Sequence, residues 1–352
     1  MKIISRKDSN RSFRFISIIL VIVLCASFLL TGCGSEGLLN DSDSVLTFNK
    51  KSIPIGEVYV YSKAVIEEYE KTYGSDIWSM KINSDTDAMD MEELTRRDII
   101  DNIVKVKVLC IQSKNLGVSL TPEEEMKADN EATEFWKNLT DDQKESMSLT
   151  KDIVSTVIQE NALAKKTYDK VVEDASIEIS DEEARETVIY DMFFDCYSLD
   201  SNGDVVPLND ENKEIMRKKA VQAYDTLISP VDSSGEKNIE ALSNYYGLKY
   251  SRYYTLTPQE MDEKYGEKIS AMIYSLDDDT YSLVTESEYG YHIFYVKALT
   301  DRKATDERKI ELKEKKQKEY FDALYKNWLR SIDDGYDYDV SVNKKLFDDI
   351  KF

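Results

Sequence analysis

Residues 269–296 leave this chain little choice of fold. Ile269, Met272, Ile273 and Leu276 recur at i, i+3, i+4 and i+7, the spacing of a helix with one apolar side. After a turn, Thr280-Tyr281-Ser282-Leu283-Val284 reads as a small strand. Gly290 then opens a second strand, Gly290-Tyr291-His292-Ile293-Phe294-Tyr295-Val296, with His292 near its start. His292 is the only histidine among 352 residues. The pattern is a short amphipathic helix, a turn, a small strand, a glycine and a second strand.

The beginning of the chain reads differently. Lys2, Arg6, Lys7, Arg11 and Arg14 are opposed by Asp8 alone, and residues 15–30 form an apolar run. A basic start, an apolar core and small residues behind it describe an export signal rather than a fold element. Leu30-Thr31-Gly32-Cys33 resembles a bacterial lipobox. That resemblance implies removal of residues 1–32, acylation of Cys33, and a protein tethered to the outside of a bacterial cell membrane through residues 33–44. Two or three acyl chains hold a protein on a membrane far more firmly than one. The competing reading is a plain signal anchor with Cys33 incidental.

The net charge is -22, and it grows more negative once the basic start is removed. Such a balance repels phosphates and excludes nucleic acid as a partner. It suits a soluble protein that avoids self-association and meets basic clients. Cys25 lies in the signal and Cys33 at the lipid site, leaving Cys110 and Cys196. Both read as small buried hydrophobes, with a Cys110–Cys196 disulfide as the alternative. Neither has the histidine or cysteine neighbours that a metal site needs, and no metal or cofactor is expected.

Along the mature chain, Val45-Leu46-Thr47-Phe48 reads as a strand, Asn49-Lys50-Lys51 as a turn and Ser52-Ile53-Pro54 as a return. A helix follows from about Gly56, residues 75–91 read as a polar loop, and residues 92–116 as a helix apolar on most sides. Gly117 stops it, and Thr121-Pro122-Glu123-Glu124 restarts one with a capping box. Ile153, Val157, Ala164, Tyr168 and Val171 mark the next helix. Residues 188–199 read as a buried strand, 200–204 as a turn, and helices follow from about Asp210 and near Ile239. Thr257-Pro258-Gln259-Glu260 caps the helix that carries Ile269–Leu276. Residues 302–332 read as one helix with Phe321, Leu324, Tyr325, Trp328 and Ile332 on one side. Residues 339–352 read as a strand and an apolar plug.

Three of these stretches carry a family resemblance. "VLTFNKKSIPIGEVYVY" and "LCIQSKNLGVSLTPEEE" are similar to the N-terminal part of the PrsA and SurA group of extracytoplasmic foldases. "GYHI", with the helix before it, resembles the end of a parvulin-type peptidyl-prolyl isomerase domain. The resemblance implies an α+β protein with a helical chaperone domain built from residues 45–180 and 302–352. A small β-α-α-α-β-β parvulin-like domain would be inserted at residues 181–301. Parvulins work beside two strand histidines that hydrogen-bond each other, plus a cysteine or aspartate near the carbonyl of the substrate. His292 matches the second histidine and is the candidate catalytic residue. Met192, in Met192-Phe193-Phe194, stands at the first. Lys249 falls where the acid or thiol belongs, and residues 251–255 replace a glycine-rich segment. Met192, Tyr254, Met272, Ile273 and Phe294 are the candidate substrate pocket.

An X-Pro bond isomerises over a barrier of about 18–20 kcal/mol. An isomerase lowers it without covalent chemistry, by favouring the twisted amide in an apolar pocket. Three functions fit these residues. The first is a lipid-anchored folding factor that holds unfolded or partly folded exported polypeptides, with weak or absent isomerase activity. The second is an active isomerase, and the third a solute-binding lipoprotein. His292 reads more readily as a structural histidine tying strand to strand than as a catalytic one. The tyrosines, 23 in all, suit both a core and a surface that grips unfolded chains. Asp200-Ser201-Asn202-Gly203-Asp204 imitates a calcium loop but reads better as a turn. Homodimerisation stays open.

Overall fold

The computed structural model describes residues 44–83, 88–229 and 238–352. The export signal, Cys33 and all of the tether but Ser44 lie outside the described residues. The chain divides into two compact units: one comprises everything up to Ser176 together with Gln317–Phe352, the other Ile177–Lys316. The first boundary falls four residues before the one expected, and the second inside the long helix Arg302–Ile332.

In the terminal unit, β1 (Ser44–Phe48) pairs antiparallel with β2 (Lys51–Pro54). Asn49 and Lys50 both take positive φ, 49° and 59°, the two-residue turn whose twist matches a hairpin. Helices α1 (Ile55–Tyr73), α2 (Met91–Leu116), α3 (Pro122–Asn138), α4 (Asp141–Ser146) and α5 (Lys151–Asp174) follow. Helix α2 starts where Asp90 accepts from the Glu93 N–H and stops at left-handed Gly117. Thr121 and Glu124 form the reciprocal cap of α3. The apolar side of α2, from Ile99 through Leu109, is buried at the centre of a core that also takes Val58, Val157 and Phe321. Lys107 of α2 ties three helices together, reaching Glu57 of α1 at 2.5 Å and Glu160 of α5 at 2.6 Å.

Two expectations change here. Residues 75–91 are not a loop: Ser75–Ser79 is a short 3-10 helix, and β3 (Lys81–Asn83) pairs with β4 (Ala88–Asp90). Ile77 and Trp78 are buried, and the Trp78 ring meets Phe352 edge-on at 5.0 Å, a partner far away in sequence. Residues 339–352 form no strand beyond a single bridge from Val342 to Leu46. Asp337 and Asn343 instead cap two short helices, Tyr338–Ser341 and Lys344–Phe347. The apolar plug is present: Phe347 and Ile350 are buried, and Arg96 donates to both of their carbonyls at 2.7 and 2.9 Å.

Burial, and then the neighbouring Asp101 charge, raise the Asp98 carboxyl to about 6. The folded state therefore binds this proton more tightly than the unfolded chain, and stability falls as pH rises from about 4 through 6. Asp98→Asn should stabilise the terminal unit at pH 7.5 by about 1 kcal/mol, the shift being discounted for partial exposure. The gain should vanish near pH 4, as read by urea melts at the two pH values.

In the inserted unit, β5 (Thr187–Asp195) lies between β11 (Gly290–Ala298) and β8 (Arg252–Leu256), and β10 (Thr285–Ser287) flanks β11. All pairs are antiparallel, and β9 (Thr280–Tyr281) also pairs with β11. Tyr190, Met192, Phe194 and Ile293 pack on one side against α6 (Asp210–Ile228) and α7 (Ile239–Tyr246). Ile189, Phe294 and Val296 pack on the other against α8 (Pro258–Tyr265) and α9 (Glu267–Tyr274).

The class is α+β, as expected, but the element order is richer. The strand expected at residues 188–199 breaks at Cys196, after which β6 (Tyr197–Leu199) and β7 (Val205–Pro207) form their own hairpin. Residues 251–255, read as standing in place of a glycine motif with Tyr254 as a pocket residue, mostly belong to strand β8. Gly266, with φ 80°, splits the last expected helix into α8 and α9. Cys110 and Cys196 are both free thiols, and burial raises each above the ordinary thiol range.

Candidate functional site

Antiparallel register decides which side chains meet. His292 of β11 lies opposite Phe193, and Phe294 lies opposite Asp191. Facing residues share a side of the sheet, and side chains alternate along each strand. Asp191, Phe193, His292 and Phe294 therefore stand on one side, and Met192 on the other.

Asp191 and His292 are only 4% and 6% exposed. The Asp191 Oδ1 is 2.8 Å from His292 Nδ1. Its Oδ2 accepts from the Tyr265 hydroxyl of α8 at 3.0 Å. At the far end of the ring, His292 Nε2 is 2.9 Å from the Ser287 Oγ of β10. Four side chains from three strands and one helix thus form a continuous hydrogen-bonded chain, Tyr265–Asp191–His292–Ser287.

An ionised carboxylate can only accept, so Asp191 fixes the proton of His292 on Nδ1. Nε2 then faces the Ser287 hydroxyl, which also lies 3.3 Å from the Gly290 carbonyl oxygen. Burial, followed by the Asp191 charge, holds the Tyr265 hydroxyl far above its ordinary range, so it remains a donor. Both faces of the imidazole are covered: Phe193 stacks at 4.4 Å between centroids and Phe294 at 5.2 Å. Each polar atom of the ring is occupied and both faces are packed. Ser287 and Tyr265, the two ends of the chain, are both half-buried. This arrangement orients a hydroxyl and locks β5, β10 and β11 to α8.

The structure disperses the expected pocket. Met192 is fully buried among α6 and α7, on the side of the sheet away from His292. The residue meeting His292 is its neighbour Asp191, because a one-residue shift along a strand reverses the side. Ile273 and Phe294 are on the histidine's side but fully buried, so they are core. Tyr254 and Met272 pack against the same cluster and are half-buried. The Tyr254 ring faces the Lys264 ammonium at 4.3 Å. Lys249 is exposed, and two residues on, the Ser251 Oγ accepts from the Phe193 N–H at 2.9 Å. The sequence did hold a signal for Asp191: it is the one carboxylate within the apolar run Ile189–Phe194. Ser287 and Tyr265 carry no comparable signal.

A small antiparallel sheet with helices on both sides holds an acid–histidine pair across its two central strands, where the sequence resemblance implied two histidines. No family model matches the chain. Over 327 residues it is 24% identical to the foldase protein PrsA of Clostridium perfringens strain 13, a match covering 88% of this chain and 87% of that one. The PrsA of a second strain of that species is 23% identical over the same length. The crystal structure of the Bacillus cereus peptidylprolyl isomerase PrsA aligns with 76% of this chain and 95% of its own, at 12% identity and a TM-score of 0.26. A SurA-like chaperone of Campylobacter jejuni covers 82% and 96% at the same identity and score. TM-scores of this size leave the assignment to the sequence relatives. The chain is similar, over most of its length, to PrsA foldases.

Proposed function

We propose that this protein is an extracytoplasmic folding factor that binds exported polypeptides before they are fully folded, with little or no peptidyl-prolyl isomerase activity. The observation that carries the reading is the match to foldases over 88% of the chain, which spans both units rather than the histidine motif alone. The terminal unit serves as the holding platform. The inserted unit is a parvulin scaffold whose histidine is retained to tie strands together. The packed faces and occupied nitrogens of His292, and the burial of Ile273 and Phe294, support that division. Leu30-Thr31-Gly32-Cys33 supports acylation of Cys33 and anchoring at the outer face of the cell membrane.

At equimolar ratio, the whole chain should slow the aggregation of a chemically unfolded client, and failure to do so removes the reading. It should leave the cis/trans exchange of a short X-Pro peptide, followed by NMR without a coupling protease, within about twofold of background. An acceleration lost on His292→Ala would restore the active isomerase in its place. In cells fed an alkyne-labelled palmitate analogue, the label should appear on the protein and disappear with Cys33→Ser.

A further inference from the structure

The hairpin that breaks away after Cys196 turns an apolar side to solvent. Tyr197 lies opposite Pro207 and Leu199 opposite Val205, so these four share one side of the β6–β7 ribbon. Leu199 is 55% exposed and Val205 49%. Two further tyrosines extend that side. Tyr250 stacks on Tyr197 at 6.1 Å, and Tyr289, 49% exposed, meets it edge-on at the same distance. The Cys196 N–H donates to the Tyr289 carbonyl at 2.8 Å, so the ribbon is fastened to the β10–β11 turn. Large apolar groups gathered like this on an otherwise highly charged protein mark a contact surface.

The charge around the patch is mostly acidic. Asp200 and Asp204 close the hairpin, Asp195 precedes it, and Glu286 and Glu288 lie beside Tyr289, against Lys249 next to Tyr250, Lys213 near Cys196 and Arg217 near Glu286. Among the described residues no lysine or arginine forms an ion pair with Asp195, Asp204, Glu286 or Glu288. Tyrosines pack against varied partners with little loss of side-chain freedom, and their hydroxyls tolerate water.

We infer that the aromatic side of the β6–β7 hairpin, with Tyr250 and Tyr289, binds an extended polypeptide segment rich in apolar and basic residues. This rests on the folding-factor reading and places a client contact in the inserted unit, apart from the terminal platform. Affinity comes from apolar groups laid on the tyrosines, and the choice of segment from the acidic rim, which attracts lysine and arginine and repels acidic chains.

The test uses the whole chain and two fluorescein-labelled 15-residue unstructured peptides that alternate leucine or phenylalanine with lysine in one case and glutamate in the other. Fluorescence anisotropy should show the lysine peptide binding at least tenfold more tightly, with the preference shrinking in 0.5 M salt. The double variant Leu199→Ser/Val205→Ser should weaken the lysine peptide at least tenfold. Tyr289→Ser, on a surface turn where folding is little affected, should weaken it severalfold. Glu286→Gln/Glu288→Gln should reduce the preference for the lysine peptide severalfold. Equal binding of the two peptides, or unchanged binding by both patch variants, overturns the inference while the folding-factor reading stands on its aggregation assay. A wild-type chain that neither binds peptide nor slows aggregation removes both.

Discussion

Gly290→Ala should cost the inserted unit about 3 kcal/mol or more, because overpacking here meets backbone rather than a yielding side chain. A Cβ at Gly290 would lie 2.1 Å from the Phe194 carbonyl oxygen and 3.1 Å from the Cys196 nitrogen. Its φ of 154° adds a conformation that side chains resist. The close approach arises because β11 begins where β5 ends: Gly290 lies opposite Asp195, the last residue of that strand. Hydrogen exchange read by mass spectrometry should show protection lost over residues 187–195 and 290–298. Trp78, Trp136 and Trp328 all belong to the terminal unit, so their fluorescence monitors that unit separately. Gly203→Ala is the matched control. Gly203 also has positive φ but nothing within 4 Å of its would-be Cβ, so it should cost about 1 kcal/mol. If the two variants prove equally costly, the close contact is not what demands glycine at the head of β11.

The contrast between the two glycines shows what a sequence reader can and cannot extract. "GYHI" marked a strand and a histidine, and periodicity located α2, α5 and the helix Arg302–Ile332 within a few residues, because helix spacing is local information. The partner of His292 was harder. Register between β5 and β11 is a non-local quantity, and an error of one residue put Met192 where Asp191 belongs and moved the assignment to the wrong side of the sheet. Strand β8 was hidden for a related reason. A five-residue edge strand of Arg252, Tyr253, Tyr254, Thr255 and Leu256 has no strong alternation of its own, and it becomes a strand through pairing with β5. The 3-10 turn at Trp78 depends on Phe352 from the other end of the chain, and the short C-terminal helices depend on caps that a β-rich reading of "VSV" overlooks. Local signals were legible, and long-range partners were not.

Asp191→Ala should be as severe as the glycine change, for an electrostatic reason. It leaves the Nδ1–H of His292 and the hydroxyl of Tyr265 as buried donors without their acceptor, and breaking a buried pair by removing one partner costs about 3–5 kcal/mol. Asp191→Asn keeps one acceptor oxygen and the shape, so its cost should be nearer 1–2 kcal/mol. Because His292 is the sole histidine, the imidazole resonances of an untagged chain need no assignment. In the wild type, the Nδ1 proton should exchange slowly with water, shielded by Phe193 and Phe294. In Asp191→Ala it should be lost to exchange. A double-mutant cycle then separates pairing from simple loss of packing. With His292→Ala already present, Asp191→Ala should cost at least 1 kcal/mol less than it does alone, since one stranded donor is gone. Strictly additive costs would mean that Asp191 and His292 do not depend on each other. The acid would then be no substitute for the family's first histidine, and the case for a scaffold that kept its histidine to tie the strands together would fall with it.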